Sequence, residues 1–113
     1  MARYEHLNIY KESYNLNLLL FRIVSKFSRD YKYSLWDRIL NSSIIIISNI
    51  VLINSSQTQD RSKYFLVLDE AIFNLNLFIN LANDLKLFWK ETNYISILES
   101  LVKIKKMKES WDR

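Results

Sequence analysis

The sequence predicts an all-α protein built as an antiparallel, up-down-up-down four-helix bundle. Three observations lead there. The 113 residues contain no glycine and no proline, so the hairpin turns, phosphate-cradling loops and nucleophile elbows that depend on glycine at positive φ have no residue to form them. Hydrophobic residues make up 50% and aromatics 14%, a composition that excludes disorder. Apolar residues recur at spacings of three and four in four successive segments, as in helices with one buried stripe. The length suits one domain spanning 1–113.

In the first segment Leu7, Tyr10, Tyr14, Leu18, Phe21 and Val24 form the expected core stripe. The stretch from Phe27 to Ser34 reads as a polar break, with Ser34 as the N-cap of the next helix. The second helix places Leu35, Ile39, Ile46, Ile50 and Ile53 on one side. This stripe runs through Ile44 to Ile47, a β-branched run whose local propensity favours a strand, and the periodicity outweighs it. After the break from Asn54 to Gln59, Asp60 is expected to cap a third helix that buries Phe65, Leu68, Ile72, Leu75, Ile79 and Ala82. A short connection around Leu87, Phe88 and Trp89 leads to the fourth, with Tyr94, Leu98, Leu101, Ile104, Met107 and Trp111 inward. Each helix is expected to run to roughly 20–27 residues, about 30–40 Å.

One bundle does not use all this apolar surface. Ile9, Leu16 and Ile23 share a second face of the first helix, and Leu66, Phe73 and Leu77 share one on the third. Second stripes of this kind predict a homo-oligomer in which helix one meets helix three of a neighbour, a head-to-tail contact that closes into a ring.

Catalytic constellations are missing. The chain has no cysteine and a single histidine, His6, which excludes a thiolate or histidine-rich metal site. Without glycine no P-loop, dinucleotide fingerprint or nucleophile elbow exists, and the adjacent Asp69 and Glu70 point to different sides of a helix. The expectation is a non-enzyme without cofactor or metal. Met1 to Tyr10 has no uninterrupted apolar core of a signal peptide, and the most apolar stretch, Ser43 to Ile53, is shorter than the ~20 residues of a membrane span. A cytoplasmic protein with no membrane partner is expected.

Sixteen Lys and Arg against twelve Asp and Glu give a net charge of +4, which leans toward a polyanion. Lys11, Arg22, Lys26, Arg29 and Lys32 form one basic group, with Lys11, Arg22 and Lys26 close together on the helical wheel. Lys103, Lys105, Lys106 and Lys108 flank the apolar seam of the last helix. These are the candidate RNA or DNA contacts. A solvated helix face gives the same pattern, and lysines near a helix C-terminus suit its macrodipole. Tyr31 and Tyr33 are able to stack on bases but are read as plugging the bundle end.

The stretch from Lys26 to Ile39, KFSRDYKYSLWDRI, resembles a signature of the four-helix-bundle superfamily. That superfamily includes proteins encoded in intervening sequences of 23S ribosomal RNA genes and the accessory variability determinant proteins of diversity-generating retroelements. Leu81-Ala82-Asn83-Asp84-Leu85 resembles the "LAxDL" ending of helix three in the second group. The C-terminal stretch from Lys103 to Trp111 resembles its "EIGRMLGGW", matching at Ile104, Met107 and Trp111, with Lys106 standing for the arginine. The first group carries a glycine-containing "SNIAEG", whereas here Ser48-Asn49-Ile50 is followed by Val51-Leu52-Ile53. Ser28 replaces the usual proline, and Lys105, Glu109 and Ser110 replace the C-terminal glycines.

The resemblance implies a pentameric, barrel-like ring with basic surfaces and no catalytic site. It implies that the ring binds the element's reverse transcriptase and RNA or DNA, supporting mutagenic cDNA synthesis. It also implies that Arg29, Asp30, Arg38 and Asp84 are architectural, pairing across helix ends. The alternatives are a ribosomal-RNA intervening-sequence type bundle of unknown role and a purely structural helical oligomer without a nucleic-acid partner.

Overall fold

A computed structural model of the chain describes residues 7–26, 29–56 and 58–111; His6, Phe27, Ser28 and the side chains of Lys32, Tyr33 and Thr58 lie outside that set. The described residues form four α-helices and no strand: α1 (Asn8–Val24), α2 (Asp37–Ser55), α3 (Thr58–Asp84) and α4 (Glu91–Trp111). The fold is all-α, as the missing glycines and the periodicity require. Ile44 to Ile47 lie inside α2, so burial of one stripe overrides β-branched propensity.

The breaks differ from expectation. Arg29–Tyr31 is a 3-10 turn and Lys32–Trp36 a π-helical turn that runs directly into α2. Trp36 already has helical dihedrals (φ −56°, ψ −53°), so Ser34 lies within continuous helical backbone and does not cap. Asp60 likewise sits in the first turn of α3 rather than before it. There it favours the positive end of the helix dipole and pairs with Lys63 at 3.9 Å. The helices α1 and α2, at 17 and 19 residues, are shorter than expected.

The stripes of α2 and α3 pack as the periodicity predicts: Leu35, Ile39, Ile46, Ile50, Ile53, Phe65, Leu68, Ile72, Leu75, Ile79 and Ala82 are all buried. In α1 the expected core stripe holds at Val24, which is buried, and at Leu7 and Tyr10, which pack against the core, but fails in the middle of the helix. Ile9, Leu16, Leu20 and Ile23 are in the core, while Tyr14, Leu18 and Phe21 are 42–48% exposed. The reading of Ile9, Leu16 and Ile23 as an exposed oligomer face is therefore wrong. The physical reason lies in the polar groups of the inner side. Asn17 Nδ2 donates to the Ser43 carbonyl on α2 at 3.2 Å, and Ser100 on α4 donates to Glu12 Oε2 at 2.8 Å. Those bonds favour this rotation of α1, which leaves the rings of Tyr14 and Phe21 outside.

Helices α3 and α4 meet at both ends. Trp111 packs edge-on against Phe65 at 5.4 Å, with the Arg61 guanidinium over both rings, and the Tyr94 hydroxyl donates to Asn80 Oδ1 at 2.7 Å. By length and composition, 34–55 and 59–84 are apolar enough to cross a membrane, which corrects the reading of that apolar stretch as too short. The buried part of their apolar content is the core stripe, mostly Ile and Leu with Phe65, Ala71 and Ala82, that packs with α1 and α4.

Candidate nucleic-acid interface

Arg22 lies in the last turn of α1 and Lys26 in the turn that follows its C-cap, Ser25. The helix stops without glycine: Ser25 Oγ donates to the Arg22 carbonyl at 2.8 Å and the Lys26 amide to that of Ile23 at 3.0 Å. Cations here suit the negative end of the helix dipole, which explains their placement without requiring a ligand.

The connection between α3 and α4 brings further groups to the same place. Lys86 has φ 59°; its amide donates to the Asn83 carbonyl, and the Leu87 amide to that of Ala82. This pair of bonds is the Schellman ending of a helix, with lysine in the left-handed position that glycine usually fills. The turn directs Leu87 and Phe88 against the core. Phe88 stacks at a tilt on Tyr94, 5.7 Å between centroids. Trp89, next along the chain, is left 85% exposed.

A cavity of about 220 Å³ results, lined by Leu19, Arg22, Ile23, Lys26, Leu87, Trp89, Lys90 and Asn93. Leu19, Ile23 and Leu87 give it an apolar wall, and among the described residues no carboxylate lines it. Arg22, Lys26 and Lys90 bring three cationic side chains to it, and the Trp89 ring stands exposed beside them. Among the described side chains of the first basic group, Arg22 and Lys26 line this cavity. Lys11 is exposed on α1, about 16 Å along the axis from Arg22. Arg29 is exposed in the 3-10 turn, and Lys32 lies in the π turn. Trp89 and Lys90 escaped the sequence reading. The signal available was an aromatic residue followed by lysine in a connection that also carries Lys86.

The second basic group divides. Lys103 and Lys106 line a shallow recess with Ile95, Leu98, Glu99 and Val102. Lys105 reaches a different cavity of about 420 Å³ between α3 and α4, beside Asp69, Phe73 and Val102. Lys108 is not a surface cation. It is buried, and its Nζ lies 2.7 Å from Asp69 Oδ1. A carboxylate presented by α3 lets the lysine be desolvated, so Lys108 joins two helices and is removed from the candidate contacts.

On α3, Leu66, Phe73 and Leu77 are 65%, 68% and 51% exposed. These apolar side chains, with the exposed Glu70 between them on the same face, are not covered by other described residues. No protein-family model matches the sequence, and no curated protein matches it.

Proposed function

We propose that this chain is a non-enzymatic, cytoplasmic accessory protein of a diversity-generating retroelement. In this reading it is a basic oligomeric scaffold that binds the reverse transcriptase together with RNA or DNA. The convergence of Arg22, Lys26 and Lys90 around the exposed Trp89 carries the proposal. Phosphate neutralisation supplies affinity and an aromatic platform supplies a contact for bases. The motif resemblance supplies the retroelement setting.

An up-down-up-down bundle fits the contacts. The start of α3 meets the end of α4 through Phe65 and Trp111, and the end of α3 meets the start of α4 through Asn80 and Tyr94. The dimensions of 43 × 23 × 20 Å match rods laid side by side. Assembly into a homopentameric ring would use the Leu66, Phe73 and Leu77 face, with the outer face of α1 at Tyr14, Leu18 and Phe21 as the surface it meets.

The test is RNA binding across a salt series. Affinity is expected to fall with a log–log slope of about −0.7 per phosphate contact for single strands. Charge reversal at Arg22 and Lys26 is expected to flatten that slope while helicity stays intact. Binding that ignores salt and these substitutions overturns the proposal. The purely structural oligomer is the second reading, favoured by Glu99 beside Lys103 and Lys106 and by Asp69 beside Lys105. Absence of RNA and DNA binding even at low salt selects it. An intervening-sequence type bundle is distinguished by its gene lying within a ribosomal RNA gene rather than beside a reverse transcriptase gene.

A further inference from the structure

Resting on the nucleic-acid reading, we infer that the cavity beside Trp89 is a subsite for one unpaired nucleobase, which makes the ligand a single strand rather than a duplex. Three properties point the same way. The first is size. At about 220 Å³ the cavity is smaller than the ~300 Å³ at which pockets for drug-sized molecules begin, so it accommodates one ring system. The second is the arrangement of surfaces. Leu19, Ile23 and Leu87 supply apolar contact, Trp89 supplies a face for stacking, and the cations of Arg22, Lys26 and Lys90 supply phosphate contacts beside it. A base and its flanking phosphates carry that same division between a flat apolar ring and negative charge.

The third is access. Inside a duplex both faces of each base are covered by the neighbouring pairs, and an indole cannot stack there without prising those pairs apart, at a cost of a few kcal/mol per step. In a single strand the base turns out freely, and stacking is tolerant of sequence because every base has a π-face. Trp89 is held for this purpose by its neighbours. Leu87 and Phe88 are packed against the core and Lys90 leads straight into α4. The ring is thus presented from an anchored turn, and its 85% exposure is not the consequence of a loose terminus.

The experiment compares the wild-type chain with Trp89→Ala and Trp89→Phe. Probes are a fluorescent single strand of about 16 nucleotides, the duplex of the same length, and a single strand with abasic sugars. Trp89→Ala is expected to weaken single-strand binding about 5- to 150-fold, the range measured for loss of one stacked base, and to leave duplex binding within about twofold. Trp89→Phe is expected to recover most of the loss. The abasic strand is expected to bind wild type as the ordinary strand binds Trp89→Ala, which tests the subsite on an unaltered fold. Equal loss on single strand and duplex, or no discrimination by wild type against the abasic strand, overturns the base subsite. If Arg22→Glu with Lys26→Glu still abolishes binding in that case, the broader nucleic-acid reading stands. If wild type binds none of the probes at low salt, both fall.

Discussion

The Lys108 ammonium of α4 lies 2.7 Å from Asp69 Oδ1 of α3, with the lysine side chain 11% exposed and the carboxylate 49%. The asymmetry matters. Lys108 has surrendered most of its hydration, whereas Asp69 keeps half of its contact with water. The attraction therefore offsets a desolvation cost borne mainly by the lysine, whose methylene stem also covers apolar surface.

Removing the acid is expected to hurt more than removing the lysine's charge. Asp69→Asn leaves a nearly buried ammonium without its carboxylate and should lower stability by about 1–3 kcal/mol, below the figure for a fully buried pair because Asp69 is half exposed. Lys108→Met retains the stem and removes the charge, and should cost under about 1 kcal/mol. Urea midpoints at unchanged m-value measure both. A larger loss in Lys108→Met than in Asp69→Asn would refute this account of the pair.

The rotation of α1 is tested by two neighbouring leucines. Leu16 is 2% exposed and Leu18 is 42% exposed. Leu16→Ala should cost about 2–5 kcal/mol through lost burial and a cavity. Leu18→Ala should stay within about 0.5 kcal/mol in the isolated protomer. The reverse order would restore the aromatic stripe to the core.

Legibility in the sequence depends on how evenly matched the competing stripes of a helix are. Helix α3 also carries a second stripe at Leu66, Phe73 and Leu77, and its core stripe still packs as its spacing predicts. In α2 the inner face of Ile39, Ile46, Ile50 and Ile53 is buried as its spacing predicts, although Ile44, Ile45 and Leu52 add apolar side chains that stay exposed. The first helix has two apolar stripes of similar strength. The inner one is interrupted by Ser13, so aromatic bulk at Tyr14 and Phe21 suggests the wrong face. Arg22 and Lys26 were readable as a basic pair on one helix face. Trp89 was not, because its position depends on a helix ending in which Lys86 occupies the place of the glycine that ordinarily marks it. Lys108 was unreadable for another reason: its burial depends on a carboxylate from a different helix.

The Schellman ending of α3 carries a cost that substitution should relieve. A side chain at φ 59° is disfavoured by about 1–2 kcal/mol relative to the right-handed region, and glycine avoids that clash. Lys86→Gly should therefore gain about 1 kcal/mol, less what glycine loses through a more flexible unfolded chain. Thermal unfolding should rise by about 4 °C for a domain of this size. A lowered midpoint would indicate that Lys86 contributes through its side chain rather than its backbone.

Ser13 offers a second site where a small change should stabilise. Its side chain is fully buried and its Oγ has no hydrogen-bond partner among the described residues. Ser13→Ala removes a desolvated hydroxyl without leaving a void and should raise stability by about 1–2 kcal/mol. Destabilisation in urea would mean that the hydroxyl is satisfied in solution.

The assembly is tested last, on α3. Phe73 is 68% exposed and lies between Leu66 and Leu77, so the protomer leaves an apolar face that a neighbouring copy would cover. Because Phe73 points outward, Phe73→Asp should leave the protomer's own stability within about 0.5 kcal/mol and its helicity unchanged. In an interface the same substitution would desolvate a charge opposite apolar side chains, at a cost of several kcal/mol if it stays unpaired. Light scattering separates the cases. Wild type above the protomer mass of 13.6 kDa, with Phe73→Asp collapsed to that mass and still helical, places the interface on this face. A wild-type mass of one protomer rejects the ring. A dimer keeps the interface and rejects the five-fold geometry, because a self-complementary contact closes at two copies and only a head-to-tail contact continues around a ring.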